Sequence, residues 1–453
     1  MKGGEKMERE ILIIGGGPAG IVCASTAKKY YPDKKITLIK EKEKGVIPCG
    51  IPYMIFSLKN PEENVLSTKG LEDMGIEVIV DKVVKIERGE KKVFTQNGDI
   101  ISWEKLVLAL GSKPIKPPIL GIEKENIFPI YKDLDYLKKV VEKVKEAKNI
   151  LVLGGGFIGI EFADEISKLE GKNVYLVELL PHLLTNSFDE EFSHLAEERL
   201  KKKRVNILTN RKVVEFEGEG KVERVRFSDG EALEIDCVIL GIGASPNTDL
   251  ARECGLPLGK GKGIWVDEYM RTEDRDIFAV GDCAGKRDFF TREDVSVLLA
   301  SIATSEARIA GANLYQLKVV RENKGTVGIY STYIDGLVLG SAGLTEKTAK
   351  DEGFEIVIGN FEGVDKHPKA LPGTGKIKVK LIFSKHSGII MGGQVAGGIS
   401  CGELINTIGV AIQKRVSFSE LETLQIATHP YLTPAPTMYP LVLAAQDAAK
   451  KFE

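Results

Sequence analysis

The chain has 453 residues, 43% hydrophobic and 28% charged, with a formal net charge of −2. That length exceeds one ordinary core and predicts about two to four domains. Near-neutrality removes any sequence-wide attraction to nucleic acid or anionic membrane, no apolar run approaches a membrane span, and the start lacks a signal-peptide apolar region. A cytoplasmic protein is therefore expected.

The six cysteines are Cys23, Cys49, Cys237, Cys254, Cys283 and Cys401. They show neither paired nor metal-like spacing, so no metal site is predicted and a reducing compartment fits. The first six residues read as an extension ahead of Met7. "REILIIGGGPAGIVCASTAKKY" then reads as an apolar strand, a glycine turn and an Ala-rich helix. Gly15, Gly17 and Gly20 hold G-x-G-x-x-G spacing. The first glycine makes the turn, the second admits a pyrophosphate to the backbone, and the third lets helix and strand pack closely. The helix N-terminus then faces the phosphates. The next strand, "KITLI", ends where an acid usually meets a ribose. Here Lys40 takes that place and Glu41 comes one residue late, so either Glu41 swings in or the ribose contact is altered.

"KGVIPCGIPYMIF" places Cys49 between a proline and Gly-Ile-Pro, with Lys44 and Met54 at the positions five away. A local disulfide is not expected. Pro52 suits the first turn of a helix, which would put Cys49 at a helix start and favour its thiolate. The alternative is a small buried hydrophobe.

"KNILVLGGGFIGIEFADEISKL" repeats the strand–glycine–helix pattern at Gly154, Gly156 and Gly159. The strand in "NVYLVELL" ends at Glu178. A carboxylate there accepts both ribose hydroxyls of adenosine and repels a 2′-phosphate, which predicts NADH over NADPH. The basic run Lys201-Lys202-Lys203-Arg204 follows an acidic helix-like segment and reads as a solvated face. From about Gly325 onward, "KIKVKLIFSKHSGIIMGGQVAG" reads as two strands around a Ser-Gly turn. A helix-like "ELINTIGVAIQKR" follows.

Three further stretches complete a pattern: "LVLALGSKP", "VILGIGASPN" and "TEDRDIFAVGDCAG", the last running through Thr272, Ile277, Gly281 and Asp282. With the two glycine units they resemble the pyridine nucleotide–disulfide oxidoreductases over nearly the whole chain. One cysteine followed by Gly-x-Pro-Tyr resembles their single-cysteine branch of NADH oxidases, NADH peroxidases, coenzyme A-disulfide reductases and persulfide reductases. The resemblance implies an α/β fold of two Rossmann-like domains and a C-terminal α+β dimerisation domain. The expected parts are FAD-binding 7–120 and 246–323, NAD(P)H-binding 121–245 and dimerisation 324–453.

By the same resemblance, FAD is held by the first glycine loop (Gly15, Gly17, Pro18, Ala19, Gly20), by Lys40 or Glu41, and by Ala109 and Gly111. Cys49 adjoins the flavin, and Asp282 binds its ribityl chain. NADH meets Gly154, Gly156, Ile158, Gly159, Glu161, Glu178 and Gly243. Cys49 is implied as the redox centre, cycling through a mixed disulfide, persulfide or sulfenic acid. "IATHPYLTPAPTMYP" resembles the His-Pro segment of the two-cysteine relatives, which makes His429 the acid–base partner across a homodimer interface. Pro434 replaces the glutamate that usually orients this histidine. Pro18 stands where oxidases and peroxidases commonly carry a loop histidine, and Leu371 where coenzyme A-using relatives often have tyrosine. The implied activity is NADH-dependent reduction of a small disulfide, persulfide or polysulfide. Its rivals are an O₂-reducing NADH oxidase and an electron-transfer reductase serving a protein partner.

Overall fold

The computed structural model describes residues 6–320 and 324–452. Apart from Lys6, the expected N-terminal extension lies outside the described residues, as do residues 321–323 before the expected dimerisation domain. The chain forms two compact units. One gathers Met1–Lys116, Pro129–Lys143 and Gly243–Thr326, and the other Pro117–Phe128, Val144–Ile242 and Val327–Glu453.

In the first unit, strand Lys6–Ile14 lies between Ile36–Lys40 and Ile100–Leu108, parallel to both. Strand Ile277–Ala279 pairs with the far side of Ile100–Leu108, and Glu77–Val80 with Ile36–Lys40. Ile11, Leu12, Ile13, Leu106, Val107 and Leu108 are fully buried, as unbroken apolar runs in a sheet covered on both faces must be. Helix Pro18–Tyr30 buries Ala19, Gly20, Cys23, Ala24 and Ala27. These small side chains admit helix Ala300–Ala312 so closely that a Cβ at Gly311 would lie 2.8 Å from the Cys23 carbonyl oxygen.

In the second unit, a parallel sheet runs in the order 127–129, 237–240, 149–153, 173–177, 206–208. Beside it lies an antiparallel three-stranded sheet of residues 213–217, 224–227 and 232–234. The basic run caps helix Glu190–Lys202, with Lys201, Lys202 and Arg204 exposed as expected. The C-terminal part is a five-stranded antiparallel sheet ordered 329–334, 337–343, 390–397, 376–384, 356–364. The two strands read from the sequence are Lys376–Ser384 and Ile390–Gly397, and helix Cys401–Gln413 follows. Among the described residues, no helix is long and apolar enough to cross a membrane.

One local expectation fails. No α-helix begins at Pro52; residues Pro48–Gly50 and Pro52–Met54 form two successive 3₁₀ turns. The segment instead closes i→i+3 bonds, Ile51 N–H to Pro48 O and Ile55 N–H to Pro52 O. A helix macrodipole therefore gives Cys49 little help.

Candidate functional site

The residues expected to hold FAD all lie in the first unit. Gly15 has φ +123°, and a Cβ there would collide with the Ala109 carbonyl. A Cβ on Gly20 would strike the Gly15 carbonyl, whereas one on Gly17 would meet nothing within 4 Å. The first and third glycines thus serve packing, and the second leaves open room before a helix whose N-cap lacks a side-chain hydrogen bond. An uncapped helix start beside open space suits a diphosphate.

The Asp282 turn docks on this loop. Thr272 Oγ1 donates to the Ile277 carbonyl at 2.9 Å, folding the 272–277 stretch back into the strand. Gly281 follows at φ +76°, and a Cβ on it would lie 2.9 Å from Ala19 Cβ. Only glycine satisfies both the left-handed backbone and that approach. Asp282 Oδ2 accepts from Ser112 Oγ at 2.7 Å and sits 3.3 Å from Lys132 Nζ. Beneath the turn, Lys286 Nζ donates to the Gly281 carbonyl at 2.7 Å and pairs with Glu306, whose Oε2 also accepts the Gly281 amide at 2.9 Å. Both side chains are almost fully buried, and burial pushes the Glu306 carboxyl up.

Lys40 is buried against the loop, its Cβ 2.7 Å from where a Gly16 Cβ would lie. Its ammonium donates to the Glu43 carbonyl at 2.8 Å and Thr68 Oγ1 at 2.9 Å, while burial lowers its pKa. Glu41 is exposed, 3.4 Å from Lys82 Nζ. The acid expected at the strand end is thus absent there; the other residues fit FAD. Gly111 adopts φ +68° and accepts the Asn247 amide at 2.9 Å; Gly243 adopts φ +95° and accepts the Ile115 amide at 3.1 Å. Both glycines shape the turns around the paired strands Ser112–Pro114 and Ala244–Pro246.

Cys49 is exposed, unlike Cys23, Cys237, Cys283 and Cys401, which are buried. Burial pushes the thiols of Cys23, Cys237 and Cys401 up to about 12 and that of Cys283 to about 11; it also raises Cys254. The buried-hydrophobe reading of Cys49 therefore fails. Asn64, buried beside it, donates from Nδ2 to the Ile47 carbonyl at 3.0 Å, and a Cβ on Gly50 would strike its Oδ1. The Cys-Gly pair is thus held by Asn64.

Of the residues expected to meet NADH, Gly154, Gly156, Ile158, Gly159, Glu161 and Glu178 lie in the second unit, whereas Gly243 lies in the first. Gly154 (φ +108°) approaches the Gly241 carbonyl, Gly159 approaches the Gly154 carbonyl, and Gly156 has open room. Helix Phe157–Ser167 starts there without a side-chain cap, and Ile158 is exposed beside its start. Glu178 accepts the Gly155 amide at 2.6 Å and the Leu180 amide at 2.8 Å. Glu161 accepts from Thr332 Oγ1 at 2.9 Å, and burial pushes its carboxyl up to about 7. Phe157 stacks on Tyr330 with ring centroids 5.0 Å apart. These residues fit a nicotinamide dinucleotide.

His429 is exposed in a loop, and the Tyr431 amide donates to its Nδ1 at 3.3 Å. Its backbone N–H donates to Thr433 Oγ1 at 3.0 Å. His367, which the sequence did not single out, donates through Nδ1 to the Thr433 carbonyl at 3.0 Å and donates its backbone N–H to the Pro430 carbonyl at 3.1 Å. It braces the loop where Pro434 leaves no carboxylate. Asn64, Lys286 and Glu306 were missed likewise; nothing in their local sequence marks them.

Residues 9–307 match the pyridine nucleotide-disulphide oxidoreductase family, and residues 329–439 match that family's dimerisation domain. An NADH oxidase of Methanocaldococcus jannaschii is 31% identical over 97% of this chain and 98% of its own. An NAD(P)H coenzyme A polysulfide/persulfide reductase of Pyrococcus horikoshii is 31% identical over 87% of this chain and 88% of its own. The structure of an NAD-dependent persulfide reductase from A. fulgidus superimposes with a TM-score of 0.88 at 27% identity, covering 98% of this chain and 83% of that one. The chain belongs to the pyridine nucleotide-disulphide oxidoreductase family and is an NAD(P)H-dependent flavoprotein oxidoreductase.

Proposed function

We propose that this enzyme uses NADH to reduce a small disulfide, persulfide or polysulfide through Cys49. The carrying observation is that Cys49 is exposed on the unit bearing the first glycine loop, while burial pushes the other five thiols up. Bound FAD supplies the two-electron relay between nicotinamide and sulfur.

The Cys49 thiolate attacks one sulfur of the acceptor, forms a mixed disulfide and expels the other sulfur as a thiolate. Two electrons originating from NADH then cleave that bond, which restores the Cys49 thiolate and releases the second thiolate. His429 of the opposite chain protonates the departing sulfur. Its Nδ1 accepts the Tyr431 amide, so in the neutral ring Nε2 bears the proton. A homodimer agrees with the exposed apolar side chains of the C-terminal part, including Ile399, Val410, Tyr431, Leu432 and Met438.

O₂ reduction is the second reading, favoured by the NADH oxidase name of the M. jannaschii relative. Pro18 weighs against it, because proline carries no donor to steady a sulfenate on Cys49. Anaerobic turnover of the Cys49→Ser chain tests the main reading. The variant should keep FAD and lose polysulfide reduction by about a thousandfold or more; full turnover without the thiol would overturn it.

A further inference from the structure

Two of the chain's five histidines meet at one carboxylate, remote in sequence from every cysteine considered above. Glu190 opens helix Glu190–Lys202, and His194 sits one turn on, over the same face. His182 arrives from the preceding loop. Its Nε2 lies 3.5 Å from Glu190 Oε1, and His194 Nε2 lies 3.6 Å from the same oxygen. The imidazoles meet edge to face, with ring centroids 4.7 Å apart. One ligand atom from each of the three residues lies within 4.8 Å of the other two.

A fourth residue sets the chemistry. Glu197, one turn further and buried, accepts the Leu183 amide at 3.2 Å and lies 3.3 Å from His182 Nδ1. His182 Nδ1 thus faces Glu197 and its Nε2 faces Glu190, so each ring nitrogen is turned to a carboxylate oxygen. With the Nδ1 proton directed at Glu197, Nε2 presents a lone pair that needs a cation, a proton or a metal ion, between it and Glu190. Their 3.5 Å separation is long for an ordinary N–H···O hydrogen bond.

We propose that His182, Glu190 and His194 form a site for a divalent transition-metal cation of the zinc type, with Glu197 orienting His182. Two imidazoles and a carboxylate suit zinc better than calcium or magnesium. Metal bonds of about 2.0–2.2 Å give a tetrahedral ligand–ligand edge of about 3.3 Å. The two N···O separations therefore need to close by only a few tenths of an ångström. A water fills the fourth position. Glu197 on Nδ1 completes a carboxylate–histidine–metal arrangement, which fixes the tautomer and raises ligand basicity.

The ion would tie the loop carrying His182 to helix Glu190–Lys202. That loop contacts the second glycine turn: the Leu184 amide donates to the Gly155 carbonyl at 2.9 Å, and the Leu180 amide donates to Glu178. Metal binding thus braces one wall of the nicotinamide-nucleotide unit.

Equilibrium dialysis with Zn²⁺ tests this on chelator-treated, FAD-loaded protein carrying Cys49→Ser, so that the exposed thiol does not compete. The expected result is one Zn²⁺ per chain with Kd below about 10 μM and a thermal midpoint raised by several degrees. His194→Ala and Glu190→Gln, both at exposed positions, should each weaken binding by at least about tenfold, and Glu197→Gln by about 10- to 100-fold. His386→Ala, on a separate exposed hairpin, should leave it unchanged. Absence of saturable binding would mean that a proton alone occupies the cluster. Undiminished binding by His194→Ala would place the ion elsewhere. Either result overturns the proposal.

Discussion

Glu178 folds back on the second glycine turn, its Oε2 accepting the Gly155 amide at 2.6 Å. The Leu180 amide fixes the other oxygen at 2.8 Å. The carboxylate is therefore oriented by the backbone before any nucleotide arrives, with lone pairs left for ribose hydroxyls. A 2′-phosphate would meet that fixed negative charge. NADH should be preferred by kcat/KM, and Glu178→Arg should move the preference toward NADPH by about tenfold or more. Equal kcat/KM for both nucleotides in the unaltered enzyme contradicts the reading.

The buried Lys286–Glu306 pair holds the turn that presents Asp282. Glu306→Ala leaves Lys286 buried without its counter-ion and the Gly281 amide without its acceptor. Removing one member of such a pair costs about 3–5 kcal/mol, whereas replacing both by apolar groups is far milder. Denaturant unfolding and retained FAD should both show Glu306→Ala worse than the double change Lys286→Met with Glu306→Leu. The reverse order would mean that the pair does not act as a unit.

Glu161 gives a pH dependence with a definite sign. Burial raises its carboxyl from 4.5 to about 7, so between those values the folded chain binds a proton that the unfolded chain has lost. Stability contributed by this group therefore falls as pH rises from about 4.5 to about 7 and stays low above. The full difference is about 3 kcal/mol. In nucleotide-free protein, Glu161→Gln should gain stability relative to the unaltered chain across that window. A difference independent of pH would place the proton elsewhere.

If His429 serves the other chain's Cys49, two inactive variants should complement. Mixed dimers of Cys49→Ser and His429→Ala chains hold one site with both groups intact. About half of the normal activity per mixed dimer is expected after verified subunit exchange. No recovery would assign both groups to one chain or remove His429 from the reaction.

The glycine turns were legible in the sequence because their constraint is local. A positive φ at Gly15, Gly154 and Gly281, and close approaches at Gly20 and Gly159, leave no room for another residue. The Thr272-to-Asp282 run was legible through its family resemblance, and its turn closes within a few residues. What stayed hidden is assembled by tertiary contact. Lys286 and Glu306 stand 20 residues apart, and Thr332 reaches Glu161 across 171. Asn64 supports Cys49 through Gly50 and Ile47, with no signal in its own neighbours. At Pro52 the chain closes i→i+3 bonds in place of the expected α-helix. At Lys40, the side chain donates to Glu43 and Thr68, contacts that its place at the strand end does not announce.

The most direct test of the central claim compares acceptors. With NADH saturating, kcat/KM for at least one small disulfide or polysulfide, measured without oxygen, should exceed that for O₂ by more than about tenfold. That is about 1.4 kcal/mol of transition-state preference. Cys49→Ser should abolish the sulfur reaction, and any oxidase activity should yield mainly hydrogen peroxide. Efficient four-electron reduction of O₂ to water, with Cys49 intact after many turnovers and no sulfur acceptor competing, would contradict the account.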